Sequence, residues 1–214
     1  MSSSDAVSTA VDNPVHELQG CHSTATPLRA VWLDVPDHFL EERHRLGHDH
    51  QDEMWEGVLH MVPQPSGRHQ RLAYELGAVL QPLAEAKGLV GLQEPAVYRP
   101  GPSDSWRIPE LGFCRLENYS EDRGIEGRAE LVVEIRSPRD ETYEKLPFYA
   151  ELECQEVLVI DRDTCTVELF RLEGDGFVRS AGEVRLTSVD ATIATIHDSG
   201  VRLTWAGGAA DVKV

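Results

Sequence analysis

The sequence contains few lysines and carries a large excess of negative charge. Lysine occurs only at positions 87, 145 and 213, against 17 arginines, and the formal net charge of the 214 residues is −17 at pH 7. This charge disfavours a partner that is gripped through its phosphates over a broad surface. If DNA binds, we therefore expect it to do so through a local basic patch, a metal ion or another protein.

Long apolar runs, paired cysteines and internal repeats are also missing. No apolar run approaches the ~20 residues of a membrane helix, so no membrane partner is expected. The four cysteines lie far apart without zinc-ligand spacing, which is typical of reduced thiols and favours a cytoplasmic location. Residues 1–30 show no basic cluster followed by an apolar stretch, and we expect a flexible tail rather than a secretory signal. Residues 31–214 have the length of one domain.

The hydrophobic pattern of residues 31–214 predicts an α/β domain. Its mixed central sheet should carry a helix on either face and additional antiparallel hairpins at its edges. In chain order the predicted elements are a helix from Pro36 to Gly47, a hairpin over 52–62, a long helix capped by Ser66 and stopped by Gly88, extended segments at 89–99 and 106–114, a buried strand at 131–135, a short helix near 143–153, a strand at 156–161, and strands at 166–172, 183–188 and 201–205.

Glu134 stands inside an apolar run that reads as a buried strand. Its neighbours in "ELVVEIRSP" are Val132, Val133 and Ile135. An unpaired carboxylate there would cost several kcal/mol or would have to take up a proton. The position therefore raises the question of what Glu134 does in the folded chain.

Five short motifs, in order between about Val35 and Leu172, together resemble the Uma2 family of restriction-endonuclease-like proteins in the PD-(D/E)XK nuclease superfamily. They are "GVLHMVPQPSGRHQRL", "RIPEL", "ELVVEIRSP", "DETYEKLPFY" and "EVLVIDRD". The resemblance implies a core of helix, three strands, helix and strand. It also implies a DNA endonuclease that cleaves phosphodiester bonds with water activated by Mg²⁺ or Mn²⁺.

The same resemblance assigns the central residues of the site. It places Glu110 and Glu134 as catalytic residues and metal ligands, assisted by the carbonyl of Ile135, and carboxylates are donors that suit these hard cations. The superfamily's usual lysine position is occupied by Arg136, which cannot give up a proton near neutral pH. The family's lysine is thought to come from the following helix, which indicates Lys145 as the third catalytic residue.

Glu110 departs from the family pattern, which usually has Asp at this position. The additional methylene moves the carboxylate by roughly 1 Å, and magnesium tolerates little error in its octahedron. Either the site is misfitted and prefers the more forgiving manganese, or the backbone has adapted to the longer side chain.

Several further residues are candidates for supporting roles. His69, with Arg68 and Arg71, lies in the first turn of the long helix and could meet a phosphate, or could belong to a solvated helix start. Arg136 could contact a phosphate, and Glu53 could support the metal site. Glu141 could add an acceptor near the metal or lie on a solvated face, whereas Tyr149 is interpreted as a packing residue of the short helix.

Two other functions stay open at the level of sequence. One is a non-enzymatic binding protein of the same fold whose catalytic site has drifted, acting as a homodimer. The other is a metal-dependent hydrolase of small phosphate substrates, which suits the net charge of −17. Salt-sensitive binding of duplex DNA would favour the endonuclease, and tight self-association without metal affinity would favour the binding protein.

Overall fold

The computed structural model describes residues 35–47, 49–101, 105–138, 140–196 and 200–213. The predicted tail over residues 1–30 lies outside these ranges. Within them the helices are α1 (Asp37–Arg45), α2 (Gly67–Glu85) and α3 (Leu146–Glu151), and the strands are β1 (Glu53–Trp55), β2 (Val58–His60), β3 (Val90–Gln93), β4 (Ala96–Tyr98), β5 (Trp106–Arg107), β6 (Leu111–Cys114), β7 (Tyr119–Ser120), β8 (Gly124–Glu126), β9 (Leu131–Arg136), β10 (Glu156–Asp161), β11 (Val167–Glu173), β12 (Gly176–Ala181), β13 (Val184–Leu186), β14 (Ala191–Ile196), β15 (Gly200–Trp205) and β16 (Gly208–Lys213). Among the described helices, none has the length and apolar character needed to span a membrane.

The central sheet has six strands in the order β12-β11-β10-β9-β6-β3. Strands β9 and β10 are parallel and place Glu134 beside Val159, whereas β6 runs antiparallel to β9 and places Leu111 beside Val133. Parallel neighbours require a crossover connection, which here contains α3. The predicted α/β class and mixed sheet are confirmed.

The two faces of the central sheet are covered by different helices. Buried side chains of α2, including Leu72 and Leu76, share one core cluster with Val133 of β9. Phe148 of α3 shares the other core cluster with Val132. Because side chains alternate along a strand, Glu134 falls on the α3 face of the sheet with Val132.

Two further sheets flank the central one. The first, in the order β2-β1-β5-β4-β8-β7, contains the predicted hairpin as β1 and β2. The second is an antiparallel sheet of β13 to β16, and its apolar side chains join the core cluster that contains α2.

Some predicted boundaries require correction. The segments at 89–99 and 106–114 each divide into two strands, and the short helix begins as a 3₁₀ turn, Thr142–Lys145, before α3. Strands β7, β8, β12, β14 and β16 were not predicted. Strand β12 is largely exposed and therefore lacks the alternation of a half-buried strand, while β16 is rich in Gly and Ala and is held by its full register with β15.

Candidate active site

Glu134 of β9 is a buried carboxylate with a donor on each oxygen. Its side chain is 3% exposed. Oε1 accepts a hydrogen bond from the Tyr149 hydroxyl at 2.7 Å, and Oε2 accepts one from Lys145 Nζ at 3.2 Å. Burial raises the pKa of Glu134 to about 8, and the negative charges of Glu110 and Glu53 also raise it. The Lys145 ammonium and the hydrogen bond from Tyr149 lower it, but by less.

Lys145, at the end of the 3₁₀ turn, supplies the positive charge of this cluster. Its Nζ lies 2.8 Å from Glu53 Oε1 and 3.2 Å from Glu134 Oε2. Burial by itself would lower the pKa of Lys145, but the Glu134, Glu53 and Glu110 carboxylates outweigh it and hold the pKa above its ordinary value. Lys145 is therefore protonated and faces several carboxyl groups.

Glu53 of β1 is fixed in place by three donors. Its Oε1 accepts a hydrogen bond from the Ile108 backbone N–H at 2.8 Å, as well as the contact from Lys145. Its Oε2 accepts one from Trp55 Nε1 at 2.7 Å. The structure thus places Glu53, which the sequence indicated as a supporting residue, directly on Lys145.

Glu110, just before β6, uses both oxygens of its longer side chain. Oε1 lies 2.6 Å from His69 Nε2, and Oε2 accepts a hydrogen bond from the Ile135 N–H at 2.7 Å. The carboxylate is therefore bound to β9 at the residue that follows Glu134. His69 reaches it because Ser66 caps α2, accepting the backbone N–H of His69 at 3.3 Å and fixing the first turn.

The three candidate arginines are bonded away from this carboxylate cluster. Arg136 pairs with Asp161 of β10 at 2.5 Å. Arg68 donates to the carbonyl of Arg162 at 3.1 Å, and Arg71 lies 4.0 Å from Glu75 on the exposed side of α2. The structure therefore brings together Glu53, His69, Glu110, Glu134 and Lys145, with the arginines outside the cluster.

Tyr149 is the member of the cluster whose role the sequence did not indicate. The interpretation of Tyr149 as a packing residue is incomplete, because its hydroxyl donates to Glu134. Burial raises the pKa of Tyr149 well above its ordinary value, so the hydroxyl keeps its proton. The available signal was its spacing of four residues from Lys145, which places both on one side of a helical segment.

The carboxyl groups of the site suit a divalent cation that is held by two side chains and keeps its other coordination positions open. Mg²⁺ is commonly held by one or two carboxylates, with water and substrate phosphates completing its octahedron. Glu110 and Glu134 can supply the two carboxylates, since an ionised carboxylate has lone pairs beyond those used by its present donors. Among the residues that the structure describes, no group of three or more His, Cys, Asp or Glu side chains is arranged to hold a metal ion. The fit is therefore to an open site and not to an all-protein cage.

The raised pKa of Glu134 predicts how stability depends on pH in the absence of metal. The carboxyl binds its proton more tightly when folded (pKa about 8, against an ordinary 4.5), so its stabilising contribution is complete at low pH and is lost as pH rises through about 8. We expect the melting temperature of the wild type, in chelator, to fall by a few degrees more between about pH 5 and pH 8.5 than that of Glu134→Gln. Thermal denaturation measures this difference, and equal pH dependence in the two proteins would contradict the assignment.

Comparison with known proteins agrees with this architecture. The family model described as "Uma2: Putative restriction endonuclease" matches residues 38–197. Among solved structures, the chain is similar to the "putative nuclease belonging to DUF820" from Anabaena variabilis, with a TM-score of 0.51 and 18% identity over 61% of this chain and 75% of that chain. At this identity the similarity shows the fold, which is restriction-endonuclease-like. No curated protein matches the chain.

Proposed function

We propose that this chain, which belongs to the Uma2 family, is a divalent-metal-dependent endonuclease that hydrolyses phosphodiester bonds in DNA. The family assignment supports a nuclease as the general class of function. The observation that carries the finer proposal is the convergence of three elements, the start of β6, strand β9 and the 3₁₀ turn before α3, on one site. Glu110 is bonded to the backbone beside Glu134, and Glu134 is bonded to Lys145.

Glu110 and Glu134 are the residues that would hold Mg²⁺ or Mn²⁺. When bound, the ion supplies a Lewis acid that activates water and offsets the charge developing at phosphorus. The surrounding side chains orient the ligands. His69 and the Ile135 N–H hold the Glu110 carboxylate, and the Tyr149 hydroxyl holds Glu134.

Lys145 would act as a hydrogen-bond donor and positive charge at the scissile phosphate or the attacking water. Its pKa is held above its ordinary value, so the ammonium keeps its proton at neutral pH and is not suited to act as a base in this state. Its three donors can contact Glu53, Glu134 and one further acceptor. A phosphate oxygen is the acceptor that a nuclease would provide.

Two arginines beside the site, Arg68 and Arg162, are the local positive charges through which an acidic protein could contact DNA, although Arg162 also pairs with Asp163 at 2.9 Å. Arg68 donates to the carbonyl of Arg162, which brings two arginines of separate segments together. Arg162 also donates to Ser137 Oγ at 3.4 Å, and that hydroxyl lies 3.5 Å from His69 Nδ1. Arg162 is thereby connected to the residue that orients Glu110, and contacts of these arginines with phosphates would weaken with salt.

The proposal is tested by cleavage of supercoiled plasmid with Mg²⁺, with Mn²⁺ and with chelator, each at low and high salt. We expect nicking or linearisation that requires a divalent ion and weakens at high salt. Absence of cleavage in every combination would contradict the endonuclease. Tight self-association in the same preparations would then favour the binding protein, and metal-dependent release of phosphate from small esters would favour the alternative hydrolase.

The contacts of Glu110 predict that shortening it harms the site. Both oxygens reach their partners at 2.6 and 2.7 Å, so the local structure is adapted to Glu and Glu110→Asp should withdraw the carboxylate from at least one of them. We expect cleavage to fall roughly 10- to 100-fold with either metal, since a 1 Å misplacement has an effect of that order. Initial rates of plasmid cleavage measure this, and a gain with Mg²⁺ would show that Glu110 is misfitted.

A further inference from the structure

The β1–β2 hairpin presents two functional groups side by side. Glu53 and His60 are register partners across the antiparallel pair. Directly opposed residues of such a pair have their side chains on the same face of the sheet. Glu53 and His60 therefore approach a neighbouring segment together.

Both side chains contact the turn that carries Lys145. Glu53 Oε1 lies 2.8 Å from Lys145 Nζ, and His60 Nδ1 lies 2.6 Å from Glu141 Oε2. Glu141 precedes the 3₁₀ turn and Lys145 ends it, so the two contacts hold its two ends. Glu53 presents a carboxylate to Lys145, and His60 presents an imidazole to the carboxylate of Glu141. Only one alignment of the hairpin with the turn satisfies both contacts.

Trp55 joins the two contacts into one unit. Its Nε1 donates to Glu53 at 2.7 Å, and its ring stacks on His60 with centroids 4.1 Å apart and an interplanar angle of 13°. The guanidinium of the buried Arg107 lies 4.2 Å from the centroid of the Trp55 ring. The imidazole that contacts Glu141 is thus packed against the residue that orients Glu53.

We propose that His60 and Glu141 are positioning residues that hold the Lys145 ammonium between Glu53 and Glu134. They act through the turn and do not touch the reacting atoms. The contact is half-buried, with His60 22% and Glu141 32% exposed, so it lies at the edge of the site and not in its centre. The consequence for catalysis rests on the proposed function, whereas the consequence for the position of Lys145 does not.

Lysine labelling tests this placement without any assumption about activity. The chain has three lysines, so an amine-acetylating reagent followed by mass spectrometry reports Lys145 separately from the exposed Lys87 and Lys213. We expect His60→Gln and Glu141→Gln each to raise the labelling rate of Lys145 roughly threefold to fivefold, the order of effect of a partly exposed ion pair. Lys145 should be labelled in the double variant at nearly the same rate as in either single variant, because each single substitution already removes the same His60–Glu141 contact.

Two reference variants accompany this experiment. Glu53→Gln removes the direct partner and should raise Lys145 labelling further. Glu117→Gln removes the same charge from the exposed 3₁₀ turn at Leu116–Asn118 and should leave Lys145 labelling unchanged. Lys87 and Lys213 are exposed and report the activity of the reagent in each sample, so their labelling should be constant. Circular dichroism of each variant should match the wild type, since a general loosening of the fold would change it.

Unchanged labelling of Lys145 in His60→Gln and Glu141→Gln would overturn the inference, as would an increase shared by all three lysines. Cleavage assays separate this from the proposed function. If the wild type cleaves DNA, both variants should lower kcat by a similar factor with KM unchanged. If the wild type cleaves DNA but Lys145 labelling is unchanged in the variants, the positioning role is excluded and the proposed nuclease activity is retained. If the wild type does not cleave DNA, the proposed function fails, and the labelling result alone decides whether His60 and Glu141 position Lys145.

Discussion

Glu134→Gln is expected to reduce DNA cleavage by about 10²–10³-fold or more while the protein stays folded, the range that loss of one preorganised electrostatic contact produces. The amide keeps the shape of the side chain and an oxygen that can accept the Tyr149 hydroxyl at the present 2.7 Å. It cannot release a proton to give the carboxylate charge that a divalent ion requires. Initial rates of plasmid cleavage, with circular dichroism of the same samples, measure both parts of this expectation.

Glu156→Gln is the matched control for this experiment. Glu156 is also a buried glutamate at the start of the neighbouring strand β10. It accepts hydrogen bonds from Thr187, Ser188 and Arg171, and although burial opposes them these bonds lower its pKa below the ordinary value. Its amide variant should lose stability and keep its cleavage rate per folded molecule. Full cleavage by purified Glu134→Gln would exclude Glu134 from the catalytic site.

Lys145→Met is expected to have the largest combined effect on stability and turnover. Removing the ammonium leaves Glu53 and Glu134 buried without their counter-ion, and breaking a buried pair in this way costs about 3–5 kcal/mol. Added Mg²⁺ should therefore raise the melting temperature of this variant more than that of the wild type, because the ion replaces part of the missing charge. Turnover should fall more than metal affinity. Thermal denaturation with and without Mg²⁺ and the cleavage rate measure these effects.

Two variants delimit the role of Lys145. Lys87→Met removes the exposed partner of Asp190 and should change neither the melting temperature nor the cleavage rate appreciably. Arg136→Met removes the ion pair with Asp161 and, if Arg136 contacts a phosphate, should weaken substrate binding rather than turnover. If Arg136 proved indispensable to turnover and Lys145 dispensable, the arginine would hold the superfamily's lysine position.

The residues of the site differ in how far sequence alone could identify them. Glu134 is visible by itself, because a carboxylate inside an apolar strand requires a partner. Glu110 and Lys145 could be assigned only through the family resemblance. Glu110 meets Glu134 through pairing of β6 with β9, and Lys145 through the path of the turn that follows β9, and no local pattern encodes either. The contacts of Glu53 with Lys145 and of Tyr149 with Glu134 depend on which face each side chain occupies in the folded chain.

The fold shows the same division between local and long-range information. Strand β10 has the predicted bounds, Glu156–Asp161, because its apolar residues are buried on both faces of the sheet. Strand β16 was missed because Gly208–Lys213 has little intrinsic preference for a strand and is stabilised by its register with β15. Strand β16 therefore forms because of its position in the sheet and not because of local propensity.

The proposed nuclease activity depends most directly on whether Glu110 and Glu134 hold a divalent ion together. A crystal of the protein soaked in Mn²⁺ and measured for anomalous scattering tests this without substrate. We expect an anomalous peak within coordination distance of the carboxylates of both Glu110 and Glu134, and its loss in Glu134→Gln. The absence of a peak at these two residues at saturating Mn²⁺ would contradict a shared metal site.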